Sequence, residues 1–493
     1  MSTDTNIVPD ASADTRDDHA LDDTIAAIAT PPGAGGIGIV RISGPDAFAI
    51  GLWLFRAADH AYRETPPPSH LLTYGHAIEP QSGEALDEVL AAFMRAPRTY
   101  TREDVVELHA HGGPLLLRHI LAAALAAGAR AARPGEMTLR AFLHGRLDLA
   151  QAEAVMALIN AESDAGRRLA LRQLEGALSA AIGRARTGAE EALTAIEASV
   201  DFPEEEVPEP ERDALARLIG ASEAEVRRLL AGAEHGRVLA EGLRVAIVGR
   251  PNVGKSSLLN ALLRSERAIV TPIAGTTRDT IEERAALDGL ALHLVDTAGL
   301  SPSEDPIERI GVERSRAAAR TADLLLFVLD GSAPLDALDH RAADDLRALR
   351  DTAQAEDGAH ALAPVLVAVN KADLPQVVTV ANAAALWPAA PIVHTSAVAV
   401  GGTEALERTI AALAGGGQAA SESALVSSAR HADALRRAAE ALAEARAALG
   451  AGIPLDLISV DLRAALDALG EVTGETATAD LLDRIFAAFC IGK

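Results

Sequence analysis

A single cysteine, Cys490, stands in a chain of 493 residues, so no intrachain disulfide can form and a reducing cytoplasm is expected. No run of about 18 uncharged apolar residues occurs, which argues against a membrane-spanning helix. Cations are scarce as well. The 45 Lys and Arg face 70 Asp and Glu, and the formal net charge of −25 handicaps unaided binding of nucleic acid. The first two dozen residues carry Asp4, Asp10, Asp14, Asp17, Asp18, Asp22 and Asp23 against Arg16. That composition suits a disordered acidic tail over 1–22, not a signal or transit peptide. The length suggests roughly two to four domains.

What is present is most informative at residues 249–256, Gly-Arg-Pro-Asn-Val-Gly-Lys-Ser. An apolar strand is expected before them at Leu243–Val248, and a helix after them from about Ser256 through Leu263. Those flanks turn a G-x-x-x-x-G-K-S string into a phosphate cradle. Backbone N–H groups converge on phosphate oxygens, Lys255 adds charge near the β- and γ-phosphates, and the Ser256 hydroxyl ligates Mg²⁺. The competing reading is a glycine-rich turn without a ligand.

Three further signatures follow in the order a nucleotide switch requires. Asp296-Thr297-Ala298-Gly299 closes the apolar run Leu292–Val295 and sets an acid within reach of Mg²⁺. Asn370-Lys371-Ala372-Asp373 follows Val365–Val369. There a carboxylate accepts two hydrogen bonds from the guanine edge while the lysine stem lies over the ring. Adenine offers no matching donor pair, so Asp373 argues for GTP over ATP. Ser396-Ala397, after Ile392–His394, offers backbone groups to the base. Four such motifs on alternating strands and helices make this segment a GTPase domain.

Its usual catalytic equipment is missing. Many GTPases place a glutamine just after D-x-x-G to orient the attacking water, but here that residue is Leu300. No internal arginine finger is evident. The candidate, Arg278, directly follows Thr277, the expected second Mg²⁺ ligand. Positive charge for the transition state must therefore come from elsewhere, or the enzyme waits for an activator.

Between Asp23 and about Ala127 the pattern is of short strands and turns, with strands expected at Ile37–Ile42, Glu88–Met94 and Asp104–His109 and a helix at Leu115–Ala127. Gly33 to Gly38 formally match G-x-G-x-x-G. Pro31-Pro32 precede them and a strand follows, so a flexible turn is the better reading than a dinucleotide site. His109 and His111 share a strand face as a metal pair would, but no third ligand stands at suitable spacing. A structural or substrate-orienting role is expected. From about Leu147 to Ala240 the chain reads as helix, with an apolar stripe at Leu149, Ala152, Val155, Met156 and Ile159. The run from Asp201 to Pro208 interrupts it as a solvated loop. Helix returns over Ala424–Leu449 and Leu457–Phe489. Neither helical stretch makes a whole domain alone, so the GTPase domain is expected as an insertion within one helical domain.

Four stretches outside the GTPase motifs resemble the MnmE (TrmE) family of tRNA modification GTPases. They are Pro31-Pro32-Gly33 through Arg41-Ile42-Ser43-Gly44, Ala132-Arg133-Pro134-Gly135-Glu136, Leu147-Asp148-Leu149-Ala150-Gln151-Ala152-Glu153, and Phe489-Cys490-Ile491-Gly492-Lys493. With Gly275–Asp279 they extend the resemblance from about Asp23 to Lys493. It implies a multidomain α+β and α/β chain: a folate-binding and dimerising α+β domain at 23–143, a helical domain at 144–240 and 417–493, and a Ras-like α/β P-loop GTPase domain inserted at 241–416.

The resemblance also implies a potassium-activated GTPase. In it K⁺ takes the place of the arginine finger, at Asn252, Thr271, Ile273 and Thr276, with Ile273 giving only its carbonyl. Mg²⁺ falls to Ser256 and Thr277, and the water-positioning acid is Glu308, acting through a bridging water beside the catalytic Lys255 and Thr277. The implied GTP contacts are Asn252, Val253, Gly254, Lys255, Ser256, Ser257, Thr271, Pro272, Ile273, Ala274, Gly275, Thr276, Thr277, Asp296, Thr297, Ala298, Gly299, Asn370, Lys371, Asp373, Ser396 and Ala397. A tetrahydrofolate one-carbon donor (the 5,10-methylene form, with the 5-formyl form also bound) is implied at Arg41, Glu107, Arg146 and Lys493. Arg146 stands where some relatives carry lysine, which keeps the charge and alters its geometry. The implied assembly is a homodimer with the flavoprotein MnmG, which holds FAD, acting on C5 of the wobble uridine of certain tRNAs. A regulatory switch GTPase of ribosome-assembly type, which alters no base, is the alternative. Cys490 stands where a prenylation box would place it, but Gly492 and Lys493 suit the last two positions poorly; it is read as a nucleophile or a small buried residue at a packed terminus.

Overall fold

The computed structural model describes residues 23–59, 62, 64–201, 210–264, 282–287, 289–296, 317–357, 363–414 and 425–492. The acidic tail and most of the run from Asp201 to Pro208 lie outside them. The chain divides into two compact units: the described residues of Met1–Glu153 with those of Ala477–Lys493, and Ala154–Thr476.

The first unit is built on a seven-stranded sheet of order β3-β4-β5-β6-β2-β1-β7. Its strands are β1 (Ile25–Ile28), β2 (Gly35–Ser43), β3 (Phe55–Ala57), β4 (Leu72–Ile78), β5 (Ala85–Met94), β6 (Val105–Gly112) and β7 (Arg130–Ala131). Alternation sets the inner face. Val40, Ile42, Ala91, Phe93, Val106 and Leu108 are buried against helices α1 (Ala47–Leu54) and α2 (Pro114–Ala126). Gly38 belongs to this packing, because a Cβ there would lie 2.4 Å from a Leu117 methyl of α2. The glycine-rich stretch thus serves a close helix–sheet approach, with no helix following it as a dinucleotide site needs.

Helix α3 (Glu136–Leu143) starts from Gly135 in the left-handed region, φ 67. A Cβ on Gly135 would lie 2.5 Å from the Phe486 carbonyl oxygen, and Gly135 N–H donates to the Cys490 carbonyl at 3.3 Å. At the other contact a Cβ on Gly492 would lie 2.4 Å from Ile28 O. Two glycines thus let the C-terminal segment lie against the backbone of the sheet domain. In packing, this segment groups with the N-terminal unit. The expected continuous helix Leu457–Phe489 is also two helices. One stops at Thr473, capped by Gly474 at φ 92, and the last, Ala479–Ala487, is capped at its start by Thr478.

In the second unit α4 (Leu149–Ile159), which carries the division after Glu153, leads into α5 (Asp164–Leu174), α6 (Ala177–Asp201), α7 (Arg212–Ala231) and α8 (Ala233–Glu241). Ile159, expected in the apolar stripe, is exposed. A six-stranded sheet follows, ordered β13-β12-β11-β8-β10-β9, all parallel except its β9 edge. The strands are β8 (Leu243–Val248), β9 (Glu282–Leu287), β10 (Leu290–Asp296), β11 (Leu324–Asp330), β12 (Val365–Asn370) and β13 (Ile392–His394). Strands β11 and β12 are buried along their whole length, as apolar runs covered on both faces must be. Helices α9 (Lys255–Arg264) and α12 (Glu404–Leu413) cover one face, and α10 (Ala337–Asp357) and α11 (Val380–Leu386) the other. The chain then returns to helix in α13 (Ala429–Gly450) and α14 (Leu455–Thr473), which pack with α6 and α7. Ala165 and Leu169 of α5 and Val238 and Leu239 of α8 share one core with β8, β9 and β10. In chain order the sheet thus follows one helical part, whose α5 and α8 it contacts directly, and precedes another. No helix among the described residues is long and apolar enough to cross a membrane.

Candidate functional site

Strand β8 delivers the chain to the phosphate loop at the carboxyl edge of the parallel sheet, where open α/β sheets place their ligands. Backbone conformation makes the loop. Gly249 has φ 150, Asn252 φ 65 and Gly254 φ 95. A Cβ on Gly249 would lie 2.5 Å from Val328 O of β11, so the first glycine lets loop and strand touch. Leu258 N–H donates to Gly254 O at 2.9 Å, which starts α9 with Ser256 and Ser257 exposed in its first turn. Lys255 Nζ donates to the carbonyls of Gly249 (2.9 Å) and Arg250 (3.0 Å), so its ammonium lies over the loop. The result is a nest of N–H groups at a helix N-terminus beside a lysine, which suits a polyphosphate.

The base-recognition segments come from the next two strand ends. Asn370, buried at the end of β12, donates from Nδ2 to Val253 O at 2.9 Å and accepts from Ala397 N–H at Oδ1, 3.3 Å. One amide side chain thereby ties the phosphate loop to the segment after β13. Ser396 Oγ donates to Asp373 Oδ1 at 2.6 Å, which holds the exposed carboxylate at the mouth. Lys371, at φ 62, pairs with Asp330 Oδ2 at 2.6 Å. Burial pushes the Asp330 carboxyl up, but hydrogen bonds from Lys371 and Ser332 outweigh it and hold Asp330 below the ordinary range. Asp330 was not expected from the motifs, although an acid ending the apolar run Leu324–Leu329 was a visible signal. Arg250 Nε meets the buried Asp339 at 3.0 and 3.1 Å, anchoring the loop to the start of α10. Burial pushes the Asp339 carboxyl up.

Asp296 ends β10 with its backbone in register with Ile247, two residues before the loop. Thr271, Pro272, Ile273, Ala274, Gly275, Thr276, Thr277, Arg278, Thr297, Ala298, Gly299, Leu300, Glu308 and Lys493 lie outside the described residues. Those described make one connected site from Gly249 to Ala397. Its tightest joint gives a prediction. An alanine at 254 would need φ near 95 and would bring its Cβ to 2.4 Å from Asn370 Nδ2. Gly254→Ala is expected to strain the loop by ~1–3 kcal/mol and to weaken GTP binding about tenfold or more. A fluorescent-nucleotide titration giving wild-type affinity would refute this role for the glycine.

The first unit holds a second constellation. Arg41 on β2 and Glu107 on β6 are register partners, and Arg41 Nε donates to Glu107 Oε1 at 2.8 Å. His109 Nε2 lies 3.0 Å from Glu107 Oε2. The His109 hydrogen bond, opposed by burial and helped by Arg41, holds the Glu107 carboxyl below its ordinary value, so it is charged at neutral pH. Arg41 also donates to Gly492 O at 3.2 Å, which brings the C-terminal segment to this pair. Arg146 lies 4.7 Å from the Tyr100 ring centroid and Arg41 5.9 Å, so Tyr100 joins the two arginines. Tyr100 carried no motif in the sequence. His111 pairs with Asp87 at 2.8 Å. Cys490 is exposed, not the buried residue of one reading.

A family model described as GTP-binding protein TrmE N-terminus matches residues 24–146, and one described as MnmE helical domain matches 149–490. The tRNA modification GTPase MnmE of Chloroflexus aurantiacus is 51% identical over 483 residues, covering 96% of this chain and 100% of that one. Its namesake in Symbiobacterium thermophilum is 49% identical over 476 residues, with coverage of 96% and 100%. That of Levilactobacillus brevis is 44% identical over 474 residues, with coverage of 96% and 98%.

Proposed function

Because this chain belongs to the MnmE family of tRNA modification GTPases, we propose that it couples potassium-activated GTP hydrolysis to chemistry on C5 of the wobble uridine of certain tRNAs. That it hydrolyses GTP in tRNA modification follows from the family. The finer reading is that a homodimer in the cytoplasm works with the flavoprotein MnmG, which holds FAD, to add an aminomethyl or carboxymethylaminomethyl group. The observation that carries the nucleotide half is the Asn370 side chain, which spans phosphate loop and base segment so that triphosphate and guanine are read together.

The described residues Ser256 and Asn252 suit the implied ions. Ser256 opens α9 beside the loop, a position suited to Mg²⁺ with Thr277 as the second ligand. Asn252, exposed and left-handed within the loop, offers an amide oxygen to K⁺, with Thr271, Ile273 and Thr276 as the remaining ligands. Bound there, the cations would supply positive charge for the phosphoryl oxygens. Lys255 positions the phosphates, Asp373 orients the base, and Glu308 orients the attacking water.

A reduced folate fits the first unit. The charged Glu107 carboxylate suits the paired donors of a pterin, while Arg41, Arg146 and Lys493 suit its carboxylates. A pure switch GTPase of the ribosome-assembly kind has no use for such a pocket and is not favoured. The test is nucleoside analysis of tRNA from cells lacking this chain. Wild type should restore the modified wobble uridine and Lys255→Ala should not. Full restoration by Lys255→Ala would separate GTP hydrolysis from the modification.

A further inference from the structure

Next to the Arg41–Glu107 pair the first unit contains an open cavity of about 480 Å³, lined among others by His70, Arg98, Tyr100, Arg102 and Arg146. That size lies within the ~300–1,000 Å³ range of small-molecule sites. Its character is unexpected for a chain with 70 acids and 45 bases. Three guanidiniums and an imidazole line it, and no carboxylate is among the lining residues.

Two of these residues stand in a backbone region that side chains disfavour. His70 has φ 64 and Arg102 has φ 60. Such strain persists only where the surroundings enforce it, and it gathers at ligand sites. Here the enforcement is visible. His70 Nε2 lies 2.7 Å from Arg98 O and its Nδ1 lies 2.7 Å from Ser69 Oγ. Arg102 Nη1 donates to His144 O at 2.8 Å, and Arg146 Nη1 donates to Tyr100 O at 2.9 Å. These two guanidiniums are thus held by neutral carbonyls, which fix their direction without cancelling their charge. A preorganised group of cations of this kind selects carboxylates or phosphates.

Tyr100 decides between ligands. Its ring carries Arg146 on the cavity side and lies within 5.9 Å of Arg41, so the cavity and the Arg41–Glu107 pair share a wall. A ligand with a flat heterocycle at Glu107 would run its tail along Tyr100 into the cations. We propose that the cavity binds the γ-linked oligoglutamate chain of a polyglutamylated tetrahydrofolate, with Arg98 and Arg102 acting on the residues beyond the first glutamate. The proposal rests on the folate reading of Arg41 and Glu107 and extends it to chain length. Each added γ-glutamyl residue brings one more carboxylate, which matches several guanidiniums lining one cavity better than a point charge would.

The test uses the full-length protein and calorimetric titration with mono- and pentaglutamyl 5-formyltetrahydrofolate at low and high salt. Wild type is expected to bind the pentaglutamate about tenfold or more tightly than the monoglutamate, with an advantage that shrinks as salt rises. Arg98→Ala and Arg102→Gly are each expected to reduce that advantage to less than about threefold. Glycine at 102 accepts φ 60 without strain, so that variant keeps the local fold. Equal affinities for the two ligands in wild type, or an advantage that survives in both variants, would overturn the proposal and leave the folate reading standing. Absence of binding by either folate would remove the folate reading and this inference with it. If the variants lose tRNA affinity and keep the chain-length advantage, the cations serve phosphates and the proposal fails.

Discussion

An Asp373→Asn protein is expected to lose its preference for GTP and to accept xanthosine triphosphate. Ser396 Oγ donates to Asp373 Oδ1 at 2.6 Å, and Asn370 ties the segment containing Ser396 back to the phosphate loop through Ala397 and Val253. A nucleotide seated on the loop therefore meets an acceptor already fixed in direction. Guanine presents two N–H donors on one edge, and both need an acceptor. Asparagine keeps one oxygen and turns the other site into a donor, which faces the guanine amino group. Charge-assisted hydrogen bonds contribute ~1.5–3 kcal/mol each, so a loss of roughly a hundredfold in GTP affinity is expected. Xanthine carries a carbonyl where guanine carries the amino group, so the new donor finds an acceptor there. Competition titrations with GTP and xanthosine triphosphate on both proteins measure the exchange. A variant that binds GTP within about threefold of wild type would refute the base-edge role.

The site was legible where its chemistry lies on short contiguous motifs. Strands β8 and β13 have the bounds expected from their apolar runs, and each ends at the motif that the run was expected to present. A buried parallel strand and a tight turn both leave local marks, one in apolar residues and the other in glycine. Contacts between distant segments leave none. Arg41 and Gly492 are 451 residues apart, and nothing in the periodicity of either segment announces their hydrogen bond. The Gly135 contact with Phe486 and Cys490 is of the same kind. The separation of the last helix from α14 was visible in Gly474 and Thr478, a stop and a start signal four residues apart. The apolar periodicity on both sides hid it. Asp339 and Tyr100 were silent for another reason. An acid in a helix and an aromatic in a turn take their meaning from the arginines they meet.

GTP turnover is expected to be at least about tenfold faster in KCl than in NaCl at equal ionic strength, if K⁺ supplies the positive charge proposed above. Leu300 cannot orient water or carry charge. Arg250, an arginine within the phosphate loop, is committed to the buried Asp339 at 3.0 and 3.1 Å. Moving it to the phosphates would leave that carboxylate without its cation, a loss that for buried pairs amounts to ~3–5 kcal/mol. Lys255 is one charge against a triphosphate whose transition state spreads charge over several oxygens. Asn252, exposed in the loop at φ 65, offers an amide oxygen, a ligand suited to a large, weakly hydrated ion. Sodium has the same charge but a smaller radius and a tighter water shell, so it fits such ligands poorly. Asn252→Ala should accordingly lower turnover mainly in potassium, drawing the two salts together, while a loss equal in both would mean that the side chain only shapes the loop. Equal wild-type rates in the two salts would overturn the assignment, and the charge would then have to be sought in a partner protein.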